Sequence, residues 1–113
     1  MIFYKSLAGI LLGSFVILSS AFGQTKPVDS IQLQPIQVAP HTYFVRGFAA
    51  LGSSANQNFI SNAGFVVTPR GVVVVDALGS PVLAQKLIAE IKKITPQKIV
   101  AVVVSHYHAD HVY

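Results

Sequence analysis

Residues 72–105 read VVVVDALGSPVLAQKLIAEIKKITPQKIVAVVVS, and the apolar pattern of this stretch indicates the fold class. Two valine-rich runs, of the kind found in strands that are buried on both faces, flank a segment with helical periodicity. A strand, a helix and a second strand in this order are predicted to form a right-handed crossover with two parallel strands. The stretch therefore predicts an α/β fold class.

The sequence marks both ends of the predicted helix. Ser80 is the predicted N-cap and Pro81 the predicted first helical residue, where its missing N–H is no loss. The pair Thr95-Pro96 is expected to end the helix. The apolar residues that fall on one helical stripe are Leu83, Leu87, Ile88, Ile91 and Ile94.

Further strands are predicted on the amino-terminal side of this unit. TYFVRG (residues 42–47) is typical of a strand, and residues 56–79 predict two strands joined by a turn at Thr68 to Gly71. Residues 24–40 contain three prolines and no sustained period, which favours an extended linker or an edge segment. We therefore expect the domain proper to occupy residues 41–113.

The first 23 residues have the pattern of a signal peptide. Lys5 lies in a short basic start, an apolar run covers residues 7–18, and Ala21 and Gly23 fit cleavage before Gln24. A membrane-spanning helix needs about 20 apolar residues, so no stable membrane anchor is expected after processing, although an uncleaved anchor is the alternative. The mature chain is predicted to be periplasmic or secreted, and it has no cysteine for disulfides or thiolate ligands.

The positive charge of the chain does not indicate a nucleic-acid partner. The formal net charge is +4, and the basic residues are scattered along the sequence. The nearest approach to a patch is Lys92, Lys93 and Lys98, around the predicted carboxyl end of the helix, where the helix dipole favours cations.

The end of the chain reads SHYHADHVY (residues 105–113) and holds three of the four histidines. His106 and His108 are two residues apart and can present their imidazoles to one metal ion, whereas Asp110 and His111 suit a second ion nearby. These ligands favour zinc, with iron or manganese as alternatives, since calcium and magnesium want more oxygens. Asp76 ends the preceding parallel strand at the same edge and is predicted to hold the other ring nitrogen of a ligand histidine.

Structural explanations compete with some of these interpretations. His41, next to Pro40 in a predicted loop, is expected to be a surface residue without a role in the site. Asp76 could be a turn residue that only ends its strand, and a histidine-rich tract can arise by accident. Three histidines and an aspartate directly after a predicted strand favour a metal site over these alternatives.

The motif His106-Tyr107-His108-Ala109-Asp110-His111 resembles the HxHxDH signature of the metallo-β-lactamase superfamily. The resemblance extends back through SNAGFVVTPRGVVVVDALGS, with Asp76 at the aspartate of the first family motif, and covers residues 41–113. It implies the amino-terminal part of an αββα sandwich, with His106 and His108 in the first metal site and Asp110 and His111 in the second. It also implies hydrolysis by a metal-bound hydroxide, with Asp110 as the catalytic residue that orients the nucleophile.

The family's later ligands, two histidines and a bridging carboxylate, have no counterpart in these 113 residues. We therefore expect the amino-terminal part of an exported zinc hydrolase that holds two zinc ions when complete and is inactive as this piece alone. The expected substrate is a small molecule with an ester, thioester, lactone or β-lactam bond. The alternatives are a noncatalytic secreted metal-binding module and a nonfunctional truncated remnant.

Overall fold

The computed structural model describes residues 31–112, in which five strands form a single sheet in the order β1-β2-β3-β4-β5. The signal peptide predicted for residues 1–23 lies outside the described residues. The elements, in chain order, are β1 (Ile36–Ala39), β2 (Thr42–Val45), β3 (Ala63–Thr68), β4 (Gly71–Val75), α1 (Pro81–Ile94), β5 (Ile99–Val103) and α2 (Ala109–Val112). The predicted mixed α/β fold class is confirmed.

The crossover unit that the sequence predicted is present. Strands β1 to β4 pair antiparallel in succession, whereas β4 and β5 pair in parallel and are connected through α1. Val74 lies opposite Val102 in this parallel pair, and a register shift follows Val72. Because β4 and β5 run in the same direction, both strands end at the same edge of the sheet.

The turn between β3 and β4 also lies where the sequence predicted it. Thr68 pairs with Gly71, and the Thr68 hydroxyl donates to the Gly71 carbonyl at 2.7 Å. Gly71 has a φ of 139°, and a Cβ atom there would lie only 2.8 Å from the carbonyl oxygen of Lys98. Both the backbone conformation and the close approach of the neighbouring strand therefore require glycine.

Helix α1 has the predicted boundaries but a narrower buried stripe than predicted. The Ser80 hydroxyl accepts a hydrogen bond from the Leu83 N–H at 3.3 Å, and Pro81 is the first helical residue. Leu83, Leu87 and Ile91 are buried, but Ile88 and Ile94 remain 38% exposed. These two residues flank the line of contact, so the packing of α1 on the sheet does not cover them.

The core lies on one face of the sheet, between α1 and the central strands. Val45, Phe65, Val72 and Val74 are buried there with the three leucine and isoleucine side chains of α1. The prediction of a buried strand was wrong for β5, the edge strand of the described sheet, in which every residue after Ile99 is exposed, whereas in β4 only Val75 is exposed. The valines of the last strand that are about half exposed are Val100, Val102 and Val103.

The packed region begins before His41. Ile31 and Leu33 are 7% and 3% exposed and belong to the core, and β1 forms the other edge of the sheet. Ile31 and Leu33 are two residues apart, so in an extended chain both side chains point to the core. The prolines nearby made this alternation hard to recognise in the sequence. His41 lies exposed in the turn between β1 and β2. No helix between residues 31 and 112 is long and apolar enough to cross a membrane.

Candidate metal centre

The histidine cluster and Asp76 lie together at the shared carboxyl edge of β4 and β5. Asp76 directly follows β4, and its backbone N–H donates to the Val103 carbonyl at 2.9 Å, which extends the parallel pairing by one bond. The loop that carries Ser105 to His108 follows β5, and α2 then carries Asp110 and His111. This is the edge at which parallel sheets bind ligands.

Asp76 is the centre of the hydrogen-bond network at this edge. Its Oδ1 atom accepts the Ser105 backbone N–H at 2.7 Å, and its Oδ2 atom lies 2.8 Å from both the Ser105 hydroxyl and Nδ1 of His111. The residue has a φ of 61°, a left-handed conformation that aspartate tolerates better than most residues. The turn after β4 thus directs one carboxylate at Ser105, in the loop after β5, and at His111, on α2.

The pKa of the Asp76 carboxyl is lowered from its ordinary value. Burial is the largest single influence and raises the pKa, but the combined hydrogen bonds outweigh it. In decreasing order these come from the Ser105 backbone N–H, the His111 ring and the Ser105 hydroxyl, and the charge of His111 adds to them. Asp76 is therefore a carboxylate at neutral pH and only accepts hydrogen bonds.

His106 and His108 bring two imidazole nitrogens together, as their spacing predicted. Nε2 of His106 lies 3.0 Å from Nδ1 of His108, and Nδ1 of His106 lies 2.9 Å from the Ser105 hydroxyl. Both histidines are exposed. The two facing nitrogens form the first pair of potential metal donors.

Asp110 and His111 form a second pair on α2. Oδ2 of Asp110 lies 3.6 Å from Nε2 of His111, while the other ring nitrogen of His111 contacts Asp76. The His106 and His111 rings are 4.1 Å apart between centroids, so the two pairs are neighbours. The four residues predicted from the motif therefore lie in one cluster.

The backbone of α2 is fixed by residues that sequence reasoning missed. The buried Ser61 hydroxyl donates to the Asp110 carbonyl, and the Ala77 N–H donates to the His111 carbonyl at 2.9 Å. A Cβ atom on Gly79 would lie 3.3 Å from Cα of Asp110. No local signal marks Ser61, because 49 residues separate it from its partner. Ser105 could have been found, since it stands between a strand end and the first histidine.

The donor types at this edge fit zinc, and they are arranged as pairs. Imidazole and carboxylate are ordinary zinc ligands. In the first pair Nε2 of His106 faces Nδ1 of His108, and in the second Nε2 of His111 faces Asp110, while Asp76 contacts the other nitrogen of His111. Within residues 31–112, no group of three or more His, Cys, Asp or Glu side chains is arranged so that it could hold a metal ion. Each pair supplies two ligands, whereas a catalytic zinc site has three protein ligands and a water.

Comparison with known proteins agrees with this fold. Residues 57–113 match the sequence profile of the metallo-beta-lactamase superfamily. A match over this share of the chain, together with the fold, places the protein among chains with the metallo-β-lactamase fold. The chain belongs to the metallo-β-lactamase superfamily. No curated protein sequence matches it.

Solved structures show the same fold at low sequence identity. The crystal structure of DIM-1 metallo-beta-lactamase is 21% identical, with a TM-score of 0.55, over 72% of this chain and 35% of that chain. The same enzyme exposed to ceftazidime is 20% identical, and TMB-1 is 15% identical, each with a TM-score of 0.55 over 72% of this chain and 36% of theirs. The chain thus spans about a third of the length of these structures.

Proposed function

We propose that these residues belong to an exported zinc-dependent hydrolase that cleaves an ester, thioester, lactone or β-lactam bond of a small molecule. The observation that carries the proposal is the meeting of two donor pairs at one sheet edge, with Asp76 bonded to one member of the second pair. Membership of the superfamily supports hydrolysis as the reaction class.

In this proposal Nε2 of His106 and Nδ1 of His108 would hold the first zinc, and Asp110 and Nε2 of His111 would hold the second. Zinc, when bound, polarises the scissile carbonyl and lowers the pKa of a bound water to about 7. Asp110 orients the attacking water through its carboxylate and receives its proton. Asp76 keeps the His111 ring in place by accepting a hydrogen bond from Nδ1.

Zinc is proposed because imidazole and carboxylate are ordinary zinc ligands. Two imidazoles without thiolates also suit iron or manganese, whereas magnesium and calcium prefer all-oxygen sites. Removal of metal with a chelator, followed by addition of one divalent metal at a time, identifies the ion that restores turnover. Zinc is the expected ion, and restoration by iron or manganese alone would contradict this part of the proposal.

The substrate is proposed by class only. The β-lactam bond is included because the similar structures are metallo-beta-lactamases, one of which was exposed to ceftazidime. The signal-like amino terminus supports a periplasmic or secreted enzyme, and the scattered basic residues favour a small molecule over a nucleic acid. Export also favours a substrate that is encountered outside the cytoplasm.

The test uses the full-length protein and one matched pair of variants. His108→Ala removes a proposed ligand and is expected to lose both bound zinc and hydrolysis of a cephalosporin, a lactone or a thioester. His41→Ala removes an exposed histidine from the turn between β1 and β2 and is expected to keep both. Zinc binding without turnover of any of these substrates would indicate a noncatalytic metal-binding protein. Equal zinc content in the two variants would contradict the proposed ligand set.

A further inference from the structure

The Ser105 side chain lies between Asp76 and His106. Its hydroxyl is 2.8 Å from Oδ2 of Asp76 and 2.9 Å from Nδ1 of His106. Its backbone N–H independently donates to Oδ1 of Asp76 at 2.7 Å. The backbone bond holds Ser105 in place independently of the hydroxyl, which contacts both Asp76 and His106.

The positions of the hydrogens follow from counting donors and acceptors. A serine hydroxyl has one hydrogen, and the Asp76 carboxylate has none to give. The hydrogen between Ser105 and Asp76 therefore comes from Ser105. The contact with His106 must then use the ring hydrogen, which places that hydrogen on Nδ1 and leaves Nε2 with a lone pair.

We propose that Ser105 is a positioning residue that fixes His106 in the tautomer with its hydrogen on Nδ1, so that Nε2 is available as a metal donor. This inference rests on the proposed function, since it assigns Ser105 a task at the proposed first zinc site. Nε2 is the atom of His106 that lies 3.0 Å from Nδ1 of His108. The tautomer that Ser105 selects is therefore the one that points a lone pair at the partner ligand.

Ser105 links Asp76 to the His106 ring, whereas the His111 ring contacts Asp76 directly. Asp76 contacts His111 directly at 2.8 Å, but among the described residues its hydrogen bonds reach His106 only through the Ser105 hydroxyl. The tautomer of a ligand histidine is set by the hydrogen bond at its other nitrogen. One carboxylate thus orients a histidine of each pair, one directly and one through serine.

The test reads the tautomer in the metal-free, full-length protein by nitrogen-15 NMR of labelled histidine rings, at a pH where the rings are neutral. Ser105→Thr keeps the hydroxyl, and Ser105→Val has nearly the same shape without it. The wild type and the threonine variant are expected to show His106 with hydrogen on Nδ1, and the valine variant to lose this form as the main one. His111 is expected to keep its Nδ1 hydrogen in all three, because its partner is Asp76.

Zinc affinity gives the functional readout. The loss of a partner that orients a ligand costs about 10 to 100-fold in metal affinity, so the valine variant is expected to bind zinc that much more weakly than the threonine variant. An unchanged His106 tautomer in the valine variant would overturn the inference, and so would equal zinc affinity of the two variants. Failure of the wild type to bind zinc would instead contradict the proposed function, while the tautomer still decides whether Ser105 orients His106.

Discussion

Nδ1 of His111 lies 2.8 Å from Oδ2 of Asp76, although 35 residues separate them in the chain. The contact joins the turn after β4 to the helix that follows β5, so it exists only because the two strands run parallel and end together. It leaves Nε2 of His111 facing the Asp110 carboxylate. The sheet topology therefore determines which histidine nitrogen is offered to a metal.

The first prediction concerns Asp76→Asn in the full-length protein. The amide has nearly the shape of the carboxylate, but it lacks the charge and presents only one acceptor oxygen to three donors. Zinc affinity and turnover are expected to fall by about 10 to 100-fold. Metal titration and steady-state kinetics measure both, and unchanged values would show that Asp76 does not support the ligands.

The second prediction is a loss of stability in acid that depends on Asp76. Its pKa is lowered in the folded chain, whereas an unfolded aspartate has a pKa of about 3.9. The stabilisation from the ionised form is therefore complete above the unfolded pKa and disappears as the pH falls through the lowered folded pKa. Denaturant titrations of metal-free protein at several pH values measure this, and Asp76→Asn should have a weaker dependence on pH below about 5.

The third prediction concerns the bond between Ser61 and α2. Ser61→Ala leaves the Asp110 carbonyl without this donor, and an unsatisfied group of this kind costs about 1–3 kcal/mol. The free energy of unfolding should fall by that amount, and α2 amides should exchange with solvent faster. Ser54→Ala, at an exposed loop position, is the control and should change stability by less than about 0.5 kcal/mol. Equal effects of the two changes would mean that Ser61 does not hold α2.

The fourth prediction is removal of residues 1–23 on export. The apolar run is shorter than the roughly 20 residues of a membrane-spanning helix, and small residues precede Gln24. Intact-mass measurement of the exported protein should give a chain that begins at Gln24. A mature chain that still begins at Met1 would indicate an uncleaved anchor.

Much of the fold could be predicted because its signals are local. The cap at Ser80, the proline at Pro81 and the turn before Gly71 each depend on neighbouring residues, and each lies where the sequence placed it. The grouping of Asp76 with the histidines followed from parallel pairing alone. These features need no knowledge of what covers the sheet.

Other features depend on contacts that no local pattern records. The valine runs suggested two buried faces, but the burial of β5 depends on what lies beside and above it, and Val100 is 56% exposed. Ile31 and Leu33 reach the core from a proline-containing segment for which the sequence favoured an extended linker or an edge segment. The bond from Ser61 to α2 joins distant parts of the chain, so only the three-dimensional structure reveals it.

Whether His106 and His108 hold one metal ion is tested most directly by a crystal structure of the full-length protein grown with zinc and measured at the zinc absorption edge. We expect an anomalous peak bonded to Nε2 of His106 and to Nδ1 of His108, each at about 2.0–2.1 Å. A zinc ion bound elsewhere, or bound through the Nδ1 atom of His106 that now faces Ser105, would contradict the proposed ligand pair.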